Sequence, residues 1–486
     1  MARGLSKSKL MSFLQCPKRL WLEAHRPELA PPPDAAARAR LAEGAAVGEI
    51  ARSLYGRDGG TLVSAEGGLG AATERTRQLL GEESSTPLFE ATFQREGLLI
   101  RTDVLERTPA GARLVEVKSS ANVKAEHLSD CAIQAWVLEA SRVRPRSVAV
   151  AHVDTEFVYR GDGRYEGLLV EQNITESARA QAAQVPVWLG RAKRTLLGDE
   201  PRVPIGAQCR VPYECPFLSH CWPATEFPLT DLPGAHRSLA AYVARGYRDV
   251  RDVPAEEISS PHQERVWAAV RSGRATLEDG AAAELAALPW PRHHLDFETV
   301  AFAVPIWAGT RPYQALPFQW SLHIERSPGD DPLHIECLEL DDAPPMRTVA
   351  ERLVAAVGPV GPVFCYSGFE ARCLATLAEF CPDLAPLLLG IEARLVDLHA
   401  LVKRNYCHPA MHGSWSLKAV LPTIAPEMDY ARLDEIQDGG AAQRAFLEAI
   451  DPGTSASRRE EIRTRLLRYC AHDTLATVRI ARFLSQ

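Results

Sequence analysis

The stretch LLIRTDVLERTPAGARLVEVKSS, residues 98–120, decides how the N-terminal part of this chain is read. It holds two strand-like runs, LLIRTDVLER and ARLVEVKSS. Side chains alternate along a strand, so Glu116 and Lys118 share one face while Val117 turns into the core. Asp103, expected at the end of the preceding strand, can reach the same point. Cutting a phosphodiester requires a metal-activated water, neutralisation of the charge built up on phosphorus and a partner for the leaving group. Asp103 and Glu116 offer hard oxygen ligands for Mg²⁺ or Mn²⁺, and Lys118 can orient the water or help deprotonate it. These residues alone leave a second reading open, an exposed acidic hairpin carrying a cross-strand ion pair.

Further strand-like runs lie on either side, PLFEATFQ at 87–94 and SVAVAHVDTEFV at 147–158, with a helix over Leu128–Leu138 before the last. The order is helix, three strands, helix, strand. Upstream, PPPD at Pro31–Asp34 separates a first helix from a second that reads RARLAEGAAVGEIARSLYG. Downstream, the proline-rich PRVPIGAQCRVPYECPFLSHCWP closes a first domain. Cys16 lies before this core and Cys209, Cys215 and Cys221 after it. Four thiolates can bind a [4Fe-4S] cluster or a tetrahedral Zn²⁺. The missing Cys-x2–4-Cys pair favours iron–sulfur, in a role that pins the N-terminal helix to the end of the domain. Cys131, Cys337, Cys365, Cys373, Cys381, Cys407 and Cys470 are scattered and read as small apolar residues.

A second acidic constellation follows Trp290-Pro291. His294-Leu295-Asp296-Phe297-Glu298-Thr299 puts two carboxylates on one strand face, able to share a pair of divalent ions. VFCYSGFEARCL sets Glu370 at the start of a helix, and RYCAHDTLATVRIARFL sets Tyr469 and Asp473 four apart on one helix face. Asp397 reads as a supporting acid, while His293, His294 and His472 read as packed or exposed bystanders.

These motifs carry two resemblances. Residues 5–225 resemble the PD-(D/E)xK nuclease superfamily, in the branch of the Cas4, AddB and RecB nuclease domains. The match extends to SKLMSFLQCPKRLWLE and to Gln134 in DCAIQAWVL. It implies a restriction-endonuclease-like core with Lys118, Asp103 and Glu116 catalytic, Gln134 touching substrate, and a [4Fe-4S] cluster on Cys16, Cys209, Cys215 and Cys221. Two positions depart from it. Gly48 stands where that branch offers a metal-binding His, leaving Glu49 as the candidate ligand, and Leu138 stands for an expected Tyr. Residues 289–486 resemble the DEDD exonucleases of ribonuclease H-like fold, in the Tyr-x3-Asp subclass. That likeness implies two metals held by Asp296, Glu298, Glu370 and Asp473, with Tyr469 positioning the attacking water. Glu370 replaces the usual Asp, and GSWSLKAVLP from Gly413 resembles the substrate-side helix.

At 486 residues the chain exceeds what one core usually serves. The expected division is a nuclease domain over 1–225, a helical connector over 226–288 and an α/β exonuclease domain with a mixed sheet over 289–486. A net charge of −7 argues against a general nucleic-acid coat but not against a nuclease. Residues 1–60 carry ten Lys or Arg against six Asp or Glu, read as a solvated face. Neither a membrane span nor an export signal is visible, so a cytoplasmic protein with reduced cysteines is expected. The expected function is metal-dependent DNA hydrolysis, trimming single-stranded ends in repair or in phage or CRISPR defence. The partner is DNA, as single strands or duplex ends. A DNA-end binding module with one or both sites inactive, and an RNA exonuclease, remain as alternatives.

Overall fold

The computed structural model describes residues 4–82, 85–108, 111–141, 143–222, 224–234, 238–433 and 435–486. The chain divides into two units, one made of residues 1–223 with 302–313, the other of residues 224–301 with 314–486. Both are mixed α/β. The stretch read as a separate connector, 226–288, falls within the second unit, and residues 302–313, read as part of the C-terminal domain, fall in the first.

In the first unit, β1 (Leu5–Ser6) leads into α1 (Lys7–Gln15) and α2 (Pro17–His25). Two helices form where one was expected, because Pro17 pushes the residue before it out of the helical region. Cys16 is accordingly extended (φ −161°, ψ 120°) and stands at the corner between them. The helix α3 (Ala35–Tyr55) starts on Asp34, whose carboxylate accepts from the Ala37 N–H at 2.6 Å. Then come β2 (Thr61–Leu62), α4 (Leu69–Gly81), β3 (Leu88–Arg95), β4 (Leu98–Thr108), β5 (Gly111–Lys118), α5 (Ala125–Ala140), β6 (Pro145–Val153), β7 (Leu169–Asn173), α6 (Thr175–Ala182), α7 (Val185–Leu197) and the single turn α8 (Leu218–Cys221).

The sheet order is β2-β3-β4-β5-β6-β7, with β1 added parallel to the start of β4. The strands β3, β4 and β5 run antiparallel, while β6 lies parallel to β5 after the α5 crossover. Burial explains the register: Ile133, Val137 and Leu138 of α5 pack with Leu88, Ile100, Leu114 and Val148 of the sheet in one apolar core. A second cluster joins Val47, Val153 and Leu168 to Ala303, with Val304 and Tyr313 against it.

The second unit runs through α9 (Leu239–Ala244), α10 (Pro261–Ser272), β8 (Thr276–Leu277), α11 (Gly280–Ala286), β9 (Arg292–Val300), β10 (Leu316–Glu325), β11 (Leu333–Leu338), α12 (Met346–Val357), β12 (Val363–Cys365), α13 (Phe369–Phe380), α14 (Ala385–Glu392), β13 (Leu395–Asp397), α15 (Leu398–Asn405), β14 (Tyr406–Cys407), α16 (Leu417–Ile424), α17 (Gly439–Ile450) and α18 (Ala456–Leu484). Its main sheet has the order β11-β10-β9-β12-β13. The first three strands are antiparallel, and β12 and β13 run parallel to β9. The 29-residue α18 buries Ile462, Leu466, Val478 and Ile480, and with them Tyr469 and Asp473. Among the described residues, no helix is long and apolar enough to cross a membrane.

Candidate functional site

The first unit gathers charge where β4 and β5 part. Their ladder ends at the pair Val104 and Val115. Beyond it the Asp103 carboxylate takes over as acceptor for the Val117 N–H, at 2.7 Å. Asp103 therefore sits in mid-strand rather than at a strand end, and still reaches the Glu116-Val117-Lys118 segment. Glu116, 1% exposed, accepts from Lys118 Nζ at 2.6 Å and from Gln134 Nε2 at 2.6 Å. Sequence reasoning missed two members. Lys7, at the start of α1, donates to Glu116 Oε1 at 2.9 Å and pairs with Asp130 Oδ1 at 2.8 Å. Asp130 also holds Lys118 at 2.8 Å and receives Gln134 Nε2 at 3.1 Å. Asp130 could have been found, since it stands one helical turn before Gln134 on the same face. Lys7 offered no local signal.

Electrostatics divides this cluster. Burial and the neighbouring Glu116 charge push the Asp103 carboxyl up to about 7. Burial acts the same way on Asp130, but Lys7 and Lys118 outweigh it and hold that carboxyl well below its usual range. Burial would lower both lysines, yet the surrounding carboxylates raise them. The cluster is thus an alternating lattice of fixed charges with Asp103 at its protonatable edge. Glu49 is exposed on α3, and among the described residues no hydrogen bond or ion pair links it to the cluster. The face of α3 nearest β5 instead carries Gly44, where an added Cβ would lie 3.8 Å from Ser119 Oγ.

The four expected thiols come together. Cys16, Cys209, Cys215 and Cys221 line one pocket, floored by Leu22 and Phe217 and edged by Lys18 and Arg19. Local bonds curl the three late cysteines around it: Cys215 N–H donates to the Cys209 carbonyl at 2.8 Å, and Cys221 N–H to that of Phe217 at 3.0 Å. Gln15, the last residue of α1, donates to the carbonyls of Gln208 (2.8 Å) and Tyr213 (2.6 Å) and so fixes Cys16 beside them. Burial raises the Cys215 and Cys221 thiols, and the neighbouring thiols add to it, while Arg19 and Lys18 pull the other way.

In the second unit, Asp296 and Glu298 project from β9 towards α18, and with Cys470 offer three ligand atoms within 4.8 Å of one another. Cys470 is therefore more than core filling, with its Sγ 3.6 Å from Asp296 Oδ2. Asp473, one turn after Tyr469, accepts from the Tyr469 hydroxyl and from that of Tyr430, which sequence reasoning missed. Glu370 enters from the first turn of α13, after Ser367, whose φ of 152° is a region L-residues rarely adopt. Its Oε2 is buried without a hydrogen-bond partner among the described residues. Asp296, Glu298, Tyr469 and Asp473 face a cavity of about 330 Å³ whose other wall includes Gly439 and Gly440.

Burial and mutual repulsion dominate here. Asp296 and Glu298 are raised well above the carboxylate range, first by burial and then by Asp473. Burial raises Glu370 to about 7. It lifts Asp473 to about 6 against the two tyrosine hydroxyls, which favour its charged form. Lys418, over the rings of Tyr430 and Tyr469, opposes the rise at Glu298 and Asp473. Gathered acids with an orphaned buried oxygen suit divalent cations, which would remove the repulsion. Asp397 accepts from the Ala400 N–H and caps α15. The flanking histidines are held by protein groups: His293 lies against the Pro362 carbonyl, His294 between Glu325 and Thr477, and His472 against the Met428 carbonyl.

Comparison with known proteins gives one match. Residues 293–416 fit a family described as "Domain of unknown function (DUF2779)". The matched stretch contains Asp296, Glu298 and Glu370 but stops short of Tyr469 and Asp473. No curated protein and no solved structure matches the chain.

Proposed function

We propose that the protein is a bifunctional metal-dependent nuclease that hydrolyses DNA phosphodiester bonds and trims ends. The observation that carries this reading is the gathering of Asp296, Glu298 and Asp473 with Tyr469 at one cavity, with Glu370, its Oε2 unpartnered among the described residues, near enough for its charge to raise Asp296. Mg²⁺ or Mn²⁺ held there would supply an acidified water and neutralise charge developing on phosphorus. The protein's own part is to fix the four carboxylates on β9, α13 and α18, and to aim the Tyr469 hydroxyl. The strand order, three antiparallel and two parallel, supports a ribonuclease H-like fold for residues 289–486. In the first unit, the contacts of Asp103, Glu116, Lys118 and Gln134 support a PD-(D/E)xK core.

The thiol pocket fits an iron–sulfur cluster better than zinc. Thiolates on one tetrahedral Zn²⁺ lie about 3.8 Å apart, given Zn–S distances of about 2.3 Å. The four thiols line one pocket but come from segments without the close Cys-x2–4-Cys pair usual at zinc, and a four-iron cluster accepts such dispersed ligands.

End-labelled single-stranded DNA, duplex DNA and RNA, each with and without Mn²⁺, test the proposal on wild type, Lys118→Ala and Asp473→Ala. Expected is metal-dependent shortening of DNA, with Asp473→Ala losing one product series and Lys118→Ala another. A site whose substitution alters no product is not catalytic, and cleavage confined to RNA would transfer the activity to the other polymer. Lys7 favours a second reading for the first unit, as a DNA-end binding module, because its ammonium already satisfies Glu116 and Asp130. On that reading Lys118→Ala leaves cleavage unchanged and weakens DNA binding.

A further inference from the structure

We infer that Cys470 is a metal ligand in the second unit, and that with Asp296 and Glu298 it makes one cation position there selective for a thiophilic divalent ion of the zinc, cobalt or cadmium class over Mg²⁺. The inference rests on the reading of these acids as a metal site and adds a donor that the carboxylate pattern does not contain.

Cys470 stands three residues before Asp473, so both come off one side of α18. Its Sγ lies 3.6 Å from Asp296 Oδ2, and the ligand atoms of Asp296, Glu298 and Cys470 all lie within 4.8 Å of one another. Around a tetrahedral Zn²⁺, bonds of about 2.3 Å to sulfur and about 2.1 Å to a carboxylate oxygen place those two atoms about 3.6 Å apart. One edge of the coordination shell is therefore already formed. The charges of Glu370 and Asp296 also act on the thiol of Cys373, but that residue completes no such group among the described residues. Donor softness decides the ion: oxygens alone suit Mg²⁺ or Mn²⁺, and a thiolate among them moves the preference towards zinc and its soft neighbours. Three protein ligands leave a fourth position towards the cavity that Asp296 and Glu298 line, as catalytic zinc sites do.

A thiol that merely donates to Asp296 would also explain the 3.6 Å contact, but a separate observation calls for a cation at this point. Glu298 is 5% exposed, its carboxylate belongs to the same group, and it has no hydrogen-bond or ion-pair partner among the described residues. Asp473 and Asp438 add negative charge around it, against Lys418. A buried carboxylate so placed needs a cation, and the nearest space for one is bounded by the Asp296 oxygen and the Cys470 sulfur.

The test uses the whole protein loaded with Cd²⁺ and read by cadmium NMR, in which a site of one thiolate and carboxylates resonates well apart from any four-thiolate site on Cys16, Cys209, Cys215 and Cys221. Expected is a mixed sulfur and oxygen resonance in wild type that disappears in Cys470→Ser and in Asp296→Asn. Serine can still donate to Asp296, so a Cys470 that only orients that carboxylate would give an all-oxygen resonance in wild type and variant alike. In competition followed by electron spin resonance, Zn²⁺ should displace Mn²⁺ from wild type at concentrations about tenfold or more below those needed for Cys470→Ser, since even partners of a metal ligand act on that scale. Cys470 is fully buried, so Cys470→Ala takes the place of the serine variant if that one fails to fold. An all-oxygen resonance or none from this site in wild type, a mixed resonance that survives in the folded variant, or equal Zn²⁺ competition in both would each overturn the inference. DNA cleavage accompanying any of these results would leave the nuclease reading standing without the thiolate, whereas the expected spectra without cleavage would remove the nuclease reading and leave the sulfur-ligated site.

Discussion

Tyr430 shows how a single hydroxyl can govern a carboxylate. It donates to Asp473 Oδ1 and lies edge-on to His472, with ring centroids 4.8 Å apart, and with the Tyr469 hydroxyl it fixes the carboxylate beside the cavity. Partners that orient a metal ligand typically matter tenfold to a hundredfold. Tyr430→Phe should therefore weaken Mn²⁺ binding about tenfold with little change in thermal stability, a result that electron spin resonance of bound Mn²⁺ would read. Charge in the same cluster sets a pH dependence. Asp296, Glu298, Glu370 and Asp473 all have raised values, the last two at about 7 and about 6, so the folded state binds more protons than the unfolded one between roughly pH 4 and 7. Metal-free protein should lose stability as pH rises through that window. Glu298→Gln takes one charge out of the crowded cluster and should stabilise the metal-free protein at pH 8, by about 1–3 kcal/mol, since each tenfold change in proton affinity is worth about 1.4 kcal/mol. Denaturant titrations at pH 5 and pH 8 check the sign, and a flat profile would sink it. The acids themselves were legible, since two-residue spacing on a strand and four-residue spacing on a helix fix shared faces. Tyr430 and Lys418 were not, because nothing local in MDYARLD or SWSLKAV points to a carboxylate more than forty residues on.

Among elements, α1 links two features that the sequence presents separately. Its first residue, Lys7, meets Glu116 and Asp130, and its last, Gln15, is bonded to the cysteine segment. Lys7→Met would leave two carboxylates sharing Lys118 alone. Removing one partner of a buried ion pair should cost about 3 kcal/mol in urea unfolding, and Lys7→Arg should restore part of it. An unaltered midpoint for Lys7→Met would mean the pairs contribute nothing. The order of β3, β4, β5, α5 and β6 was legible because period-two and period-3.6 patterns are strong there. The break of the first helix at Cys16 could have been read from Pro17. The approach of α1 to β5 spans 109 residues and depends on how the apolar core closes, which local pattern does not encode.

For the whole molecule, a two-core architecture followed from length and from two acidic constellations. The boundaries did not. Residues 226–288 look like a linker because they carry no chemistry, yet their helices belong to the second core. Residues 302–313 join β9 to β10 in sequence and serve the first core, since Ala303, Val304 and Tyr313 pack with Val47, Val153 and Leu168. A polypeptide of residues 1–223 should thus be less stable than the same unit in the intact chain, by about 2 kcal/mol, roughly what burying one large apolar side chain contributes. A synthetic 302–313 peptide should raise its melting temperature, and no response to the peptide would mean this segment is dispensable.

That excursion also constrains how such a protein can arise and be dissected. A gene cut between the two cores yields one half carrying a piece meant for the other, so recombination or subcloning at the apparent linker separates reading frames without separating folds. The first half lacks the segment that completes its core, and the second carries that segment without the residues it packs on.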